Sequence, residues 1–404
     1  MERHNSAGGV AGDLASPVAY VGDSEAHSRA CIVDALLERG FVCRDFTRVS
    51  DLLDAFGIKA PQVIVLDLSQ RDFDGIEALR SLKANRFAGG IIPITELDGG
   101  EGLGQIVRGS GLKMLPPVSK PLQARNLEVS LGHLDPPPKG PELVIDIDEA
   151  IRNQWITLWY QPKVDLQSLS VCGAEALVRI LHPDLGLIPP SRFLPGSSDP
   201  KMRLLSHFVV KRALHDWMTF VERRRPLEIA INVPTAVLME AQFIRFFRNH
   251  LPIHPRFSGI IVEVDEAEAP GCADSVARLA AQLEELKIRI SINDLTCCSP
   301  FVADTERFPF SEIKVGKQFV SGCAADHLKR ALCQTIVEIT RRFGALSVAV
   351  GVETSDDLAV VQELGFDVAQ GFFFGRPMPP EELALLIAMR RGSVRGLQAR
   401  SAPT

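Results

Sequence analysis

A chain of 404 residues is longer than one compact core ordinarily needs, and at roughly 100–200 residues per domain two units are the expected count. With 46% hydrophobic and 23% charged residues it reads as an ordinary globular protein, not as a disordered or fibrous one. A formal net charge of -6 excludes a surface built to neutralise a nucleic-acid backbone, so no DNA partner is expected, although a small nucleotide can still bind locally.

Residues 1–16 are polar and Gly/Ala-rich, lack the apolar stretch of a signal peptide, and are expected to be disordered. No later apolar run reaches the ~18 residues that span a bilayer, so no membrane partner and a cytoplasmic location are expected. The eight cysteines form no CxxC pair and read as reduced thiols, not as a zinc site.

Over residues 17–134, short apolar runs (VAYVG, PQVIVLDL, GIIPIT, LKMLPPV) alternate with amphipathic stretches such as SRACIVDALLERG and GIEALRSLKAN. This alternation predicts an α/β, doubly wound unit with a parallel sheet covered on both faces. DPPPKGPE, residues 135–142, then forms a stiff linker, because three consecutive prolines continue neither a helix nor a central strand. Residues 143–389 repeat the strand–helix alternation through eight candidate strands, which suits a closed TIM-like β/α barrel. Residues 390–404 are expected to be a disordered basic tail.

Polar residues stand at or near the ends of these otherwise apolar strands: Glu175, Asn232, Glu263, Asp294, Lys314, Glu353 and Gln370. In a barrel such ends meet on one face, where carboxylates beside amide oxygens make an oxygen-ligand site suited to Mg or Mn.

AEALVRI followed by HPDLGLIPPSRFLP closely resembles the signature of EAL cyclic di-GMP phosphodiesterases. YQPKVDL precedes it, and INVPTAVL, VEVDE, INDL, IKVGKQFV, VAVGVET and QGFFFGRPMP follow in family order across Leu143 to Leu386. The resemblance implies a bacterial signalling barrel that holds Mg or Mn and binds cyclic di-GMP, with active members opening it to linear pGpG. It assigns Glu175, Asn232, Glu263 and Asp294 to the metal, and Arg179, Gln161, Leu177 and Gln370 to the nucleotide. Lys314 would lie near the scissile phosphate and Glu353 would be a supporting catalytic group.

Two departures from that pattern bear on chemistry. The family's Asp-Asp-Phe-Gly stands here as Asn293-Asp294-Leu295-Thr296, and a neutral amide cannot hold two dications together as a bridging carboxylate does. The second metal is therefore expected to be lost or loose. The family's Ala-Glu-Gly-Val-Glu is replaced by AVGVE, so Val350 takes the place of the glutamate that activates water, and valine accepts no proton. The loop TCCSP also lacks the glycines of the family's segment that couples catalysis to dimerisation.

PQVIVLDLSQRDFDGIEALRSL resembles the phosphoacceptor segment of response-regulator receivers, with Asp67 in the phosphoacceptor position. Asp23, Thr95 and Lys120 fit the rest of that site, which in active receivers uses Mg. Gly22 replaces the first of two metal-binding acids and Pro117 replaces a switch aromatic, so Mg affinity should fall. The glycine-rich stretch ELDGGEGLGQIVRGSG argues for a loosened helix after the fourth strand. The receiver resemblance implies a sensor histidine kinase and a downstream protein as partners, and the EAL resemblance implies a homodimer as the assembly.

Three readings remain open. One is an EAL response regulator that binds cyclic di-GMP, or a protein, with weak or no hydrolysis. The second is a working metal-dependent phosphodiesterase gated by the first unit, and the third is an adaptor that has lost the ligand. For the first unit, phosphorylation at Asp67 and a plain docking or dimerisation role stand side by side.

Overall fold

The computed structural model describes residues 17–69, 73–96, 111–120, 122, 124–133, 145–197, 199–222, 227–266, 273–293 and 310–388. Asp294, the TCCSP loop, nearly all of the glycine-rich stretch, the proline linker and both expected disordered ends lie outside them. The chain divides into two compact units, Met1–Asp146 with Leu181–Phe193, and Ile147–Ile180 with Leu194–Thr404.

In the first unit, β1 (Val18–Gly22), β2 (Val42–Phe46), β3 (Val63–Asp67), β4 (Gly90–Glu96), β5 (Lys113–Met114) and β6 (Val118–Lys120) form the sheet. The order is β2-β1-β3-β4, with β5 and β6 both on β4, and every one of these pairings is parallel. β1 and β3 are buried along their whole length, as continuous apolar strands covered on both faces must be. Within the clustered segment Leu181–Phe193, β9 (Gly186–Ile188) adds to β2 antiparallel through Leu187 and Cys43.

Strand order reverses between β1 and β3, and such switch points are where open α/β sheets offer a crevice at the carboxyl ends of their strands. Asp23 follows β1 and Asp67 ends β3, so both stand there. The helix Gly75–Ala84 after β3 starts on Asp74, whose carboxylate accepts the Glu77 amide at 3.0 Å. A Cβ at residue 75 would lie 2.1 Å from the Asp67 carbonyl oxygen, so only glycine lets the helix approach the strand end this closely.

The second unit closes eight strands into a ring. They are β7 (Ile156–Asp165), β8 (Ser170–His182), β10 (Glu228–Asn232), β11 (Ile260–Asp265), β12 (Ile288–Asn293), β13 (Glu312–Val315), β14 (Leu346–Val350) and β15 (Val368–Gln370). Neighbours pair in chain order, and β8 closes on β10. β7 runs antiparallel to both β8 and β15 while the other pairings are parallel. The short turn Asp165–Ser170 dictates this, since parallel strands need a crossover of about a dozen residues. The expected amphipathic runs form the outer helices, among them Pro200–Glu222, Ala273–Glu284 and His327–Phe343. Asp326 caps the last through the amides of Leu328 and Lys329, and left-handed Gly344 ends it.

Candidate functional site

Side chains two residues apart on a strand share a face, and register partners on adjacent strands point the same way. Glu175 on β8 pairs with Gln161 on β7, Asn232 on β10 with Glu263 on β11, Asn293 on β12 with Lys314 on β13, and Val350 on β14 with Gln370 on β15. Alternation therefore delivers all eight to the barrel's interior near one mouth. Leu177 and Arg179 continue the Glu175 face of β8 toward the rim, the first half-buried and the second buried.

Lys314 is the hub. Its Nζ donates to Glu175 Oε2 at 2.8 Å and to Glu263 Oε2 at 2.6 Å, and all three side chains are buried. Glu175 also accepts from Asn232 Nδ2 at 2.8 Å and Gln370 Nε2 at 2.9 Å, and Gln370 Nε2 donates to Gln161 Oε1 at 2.7 Å. Burial opposes ionisation of Glu175, but the Lys314 ammonium and these amide donors outweigh it and hold the carboxyl well below its usual range. Glu263 goes the other way, raised by burial and then by the charge of Glu175. Burial alone would lower Lys314, and the two glutamates reverse this and raise it.

Three buried oxygens near this mouth have no hydrogen-bond donor: Glu263 Oε1, Asn293 Oδ1 and Gln370 Oε1. Leaving such acceptors dry and unpaired costs on the order of 1–3 kcal/mol each, which a cation or ordered water would recover. The residues present thus fit a divalent ion of oxygen preference, with Glu175, Glu263, Asn232 and Asn293 as the side chains that would hold it. The fit is thin in charge, because among the described residues no three His, Cys, Asp or Glu side chains gather as a ligand group.

Several contacts were not anticipated from the sequence. Glu353 stands outside the Lys314 network, with its Oε1 2.7 Å from Lys317 Nζ. Asn293 Nδ2 donates to Asp265 at 3.3 Å. One layer below the cluster, Lys163 and Glu312 form an ion pair of 2.7 Å, each about 3% exposed. The signal for that pair was present: each lies two residues from a site residue, Glu312 before Lys314 and, on the antiparallel β7, Lys163 after Gln161.

In the first unit, Lys120 Nζ lies 2.7 Å from Asp67 Oδ2, 3.2 Å from Asp23 Oδ2 and 3.3 Å from Glu25 Oε2. Asp67 Oδ1 accepts the Ser69 amide at 2.8 Å and the Ser69 hydroxyl at 2.6 Å. Asp23 accepts the Glu25 amide and the Ser28 hydroxyl, and both aspartates are 0% exposed. Burial first, and the Asp67 charge with it, raises the Asp23 carboxyl against its hydrogen bonds and Lys120. A Cβ at residue 22 would lie 2.3 Å from the Phe73 ring, which fills the space a side chain there would need. Thr95 is half-buried in β4, one residue beyond the register partner of Asp67.

The model of the EAL domain matches residues 145–377, more than half of the chain. The chain belongs to the EAL domain family. The EAL unit is 31% identical over 250 residues to the bifunctional diguanylate cyclase/cyclic di-GMP phosphodiesterase MucR of Pseudomonas aeruginosa, covering 61% of this chain and 36% of that protein. A solved MucR phosphodiesterase in complex with c-di-GMP superposes with a TM-score of 0.54 at 31% identity, over 59% of this chain and 98% of that one. The cyclic di-GMP phosphodiesterase RocR of the same organism is 25% identical over 79% of this chain and 85% of its own length. The chain spans about a third to a half of the length of the first curated relatives it matches. Among the described residues, no helix is long and apolar enough to cross a membrane.

Proposed function

We propose that the chain is a cyclic di-GMP signalling protein whose EAL unit binds the nucleotide with weak or no hydrolysis, and whose first unit is a receiver-like input. The observation that carries this reading is the composition of the cluster among the described residues: around Lys314 stand two buried carboxylates among four carboxamides, Gln161, Asn232, Asn293 and Gln370, with Asp265 reached only through Asn293. Amides and a buried arginine suit a nucleotide phosphodiester, whereas hydrolysis needs a base and charge to bind metal strongly. Val350 faces inward where a base would act, and Glu353 is held by Lys317. A divalent ion at this mouth would polarise a phosphodiester oxygen and lower the pKa of bound water. The chain's own part is positional: Lys314 fixes both glutamates, and Gln370 fixes Gln161 and Glu175 in one hydrogen-bonded row.

Calorimetric titration of the purified chain with cyclic di-GMP tests the binding half of the proposal. Saturable micromolar or tighter binding is expected, weakened about 10- to 100-fold by Arg179→Ala, in line with the loss of a charged hydrogen bond. No binding at micromolar nucleotide would select the adaptor reading instead. The working-phosphodiesterase reading draws on one observation, that Glu175, Asn232, Glu263 and Lys314 all converge at one mouth.

The receiver-like reading of the first unit rests on Asp67 at the strand-order switch with Lys120 on its carboxylate. The match to RocR supports it, since 79% of the chain is more than residues 145–377 supply. In this reading a sensor kinase phosphorylates Asp67, with Mg bound by Asp23 and Asp67, and a homodimer relays the change. Treating wild type and Asp67→Asn with a small phosphodonor tests it by mass and by oligomeric state. Identical mass, assembly and nucleotide affinity in both would reduce the first unit to a docking domain.

A further inference from the structure

We propose that the EAL unit carries a docking groove for an acidic segment of a partner protein, at the end of the barrel away from the mouth. The inference goes beyond the nucleotide reading and does not depend on it.

The charge pattern of the sequence leads there. Asp and Glu make up 50 of the 404 residues, yet residues 241–262 contain none while carrying three arginines and two histidines. They form the helix Ala241–His250, the loop after it and the first half of β11. Phe243 and Phe247 bury the inner face of that helix, and Arg245 and Arg248 stand exposed one turn apart. Arg256 is exposed in the loop. Among the described residues no carboxylate pairs with Arg245, Arg248 or Arg256, whereas Arg29, Arg48, Arg203, Arg212, Arg289 and Arg330 each have one.

Shape supplies the second observation. Beside Arg248, the loop and the turn before β12 enclose a groove of about 570 Å³. Leu251, Ile253 and Phe257 line it with apolar surface, and Lys287 from the turn donates its Nζ to the Phe257 carbonyl at 3.4 Å. The buried Trp217 ring packs edge-on against His254 at 5.7 Å and Phe257 at 5.0 Å, so this lining is held in place. Ile253 is 105% exposed. A solvated basic face accounts for the arginines but not for an aliphatic side chain wholly in water beside an apolar groove. Carboxylates on the arginine forks and an aliphatic residue in the groove would satisfy both, which is what an acidic segment with one apolar anchor offers.

Charge also selects among anionic partners. A bilayer or a nucleic-acid duplex presents a broad negative surface, which would press on the exposed carboxylates of Glu284 and Glu285 beside Lys287. A peptide can lay its acids on the arginine side alone. The groove stands before the first residues of β11 and β12, whereas Glu263 and Asn293 lie toward their last, so groove and mouth can be filled together.

Panning a phage-displayed library of random peptides on the full-length protein tests this, with counter-selection on the Arg245→Glu, Arg248→Glu double variant. Both substituted positions are exposed, and native circular dichroism checks the fold. Peptides kept by wild type and lost on the variant should combine acidic residues with an aliphatic one. By calorimetry such a peptide should bind Ile253→Ser about 10- to 100-fold more weakly, the effect of one aliphatic side chain left unburied. Added salt should weaken its binding to wild type mainly by slowing association. No peptide that separates wild type from the variant, only neutral or basic ones, or an affinity untouched by Ile253→Ser would overturn the proposal. So would phosphatidylserine vesicles or duplex DNA that retain wild type but not the variant, or a peptide-free dimer that the variant abolishes, since these give the face to lipid, nucleic acid or a second copy. Failure to bind cyclic di-GMP with peptide binding kept would sink the proposed function and leave this inference standing.

Discussion

Two lysines, one in each unit, do the same thing with different consequences. Lys120 bridges Asp23 and Asp67, and Lys314 bridges Glu175 and Glu263. Around Lys120 each aspartate oxygen already has a donor: Ser69 and Lys120 on Asp67, the Glu25 amide and Ser28 on Asp23. Around Lys314 three oxygens are left without one. A satisfied carboxylate pair gains less from an incoming ion, whereas an unsatisfied set gains on the order of a kcal/mol for every orphan it fills. The units therefore differ in their need for a cation more than in their charge.

The largest effect is expected at the EAL mouth, where the proposed reading has charge and a base missing. Restoring both, by Asn293→Asp with Val350→Glu, should raise pGpG formation by about 10²- to 10⁴-fold or more, well beyond either change alone, because groups that act together combine non-additively. Equal rates for the double variant and its better single parent would show that charge and base are not what is missing.

Metal affinity should sharpen the contrast next. Glu263→Gln is expected to weaken Mn binding by at least the ~10- to 100-fold that even outer-shell changes cause. Asp23→Asn, in a pair already bridged by Lys120, should change the isotherm much less, and equal losses in both would erase the distinction between satisfied and unsatisfied pairs.

Stability comes third. Lys163→Met leaves Glu312 charged and alone inside the barrel and should cost about 3–5 kcal/mol in denaturant melts. Lys120 is 17% exposed at its side chain, so Lys120→Met should cost less, roughly 1–3 kcal/mol. An effect of similar size belongs to Gly22. Gly22→Asp forces the Phe73 ring aside and should destabilise the first unit by about 1–3 kcal/mol without creating Mg binding. A tight Mg site in that single variant would show that the ring moves freely.

Most strands of both units were legible because their apolar runs are short and punctuated, whereas β2 and β9 carry too short an apolar run to stand out, and Glu175, Asn232, Glu263, Lys314 and Gln370 were legible because each interrupts such a run at or near its end. Partners were not legible. Nothing local to Lys314 says that it will join two glutamates from strands far away in the chain, nor that Glu353 will pair with Lys317. The antiparallel course of β7 was written in the brevity of the Asp165–Ser170 turn, a length signal that the strand pattern masked. Gly22 read as a missing acid, but the structure adds a reason of space, since Phe73, just before the helix that follows β3, occupies its side-chain volume.

The most direct test of this charge-poor mouth is a hydrolysis assay of the purified chain with saturating cyclic di-GMP, run separately with Mg and with Mn. The account predicts bound nucleotide recovered intact, with pGpG formed at a rate far below about 1 s⁻¹. Sustained turnover at about 1–10 s⁻¹ with either ion would contradict it.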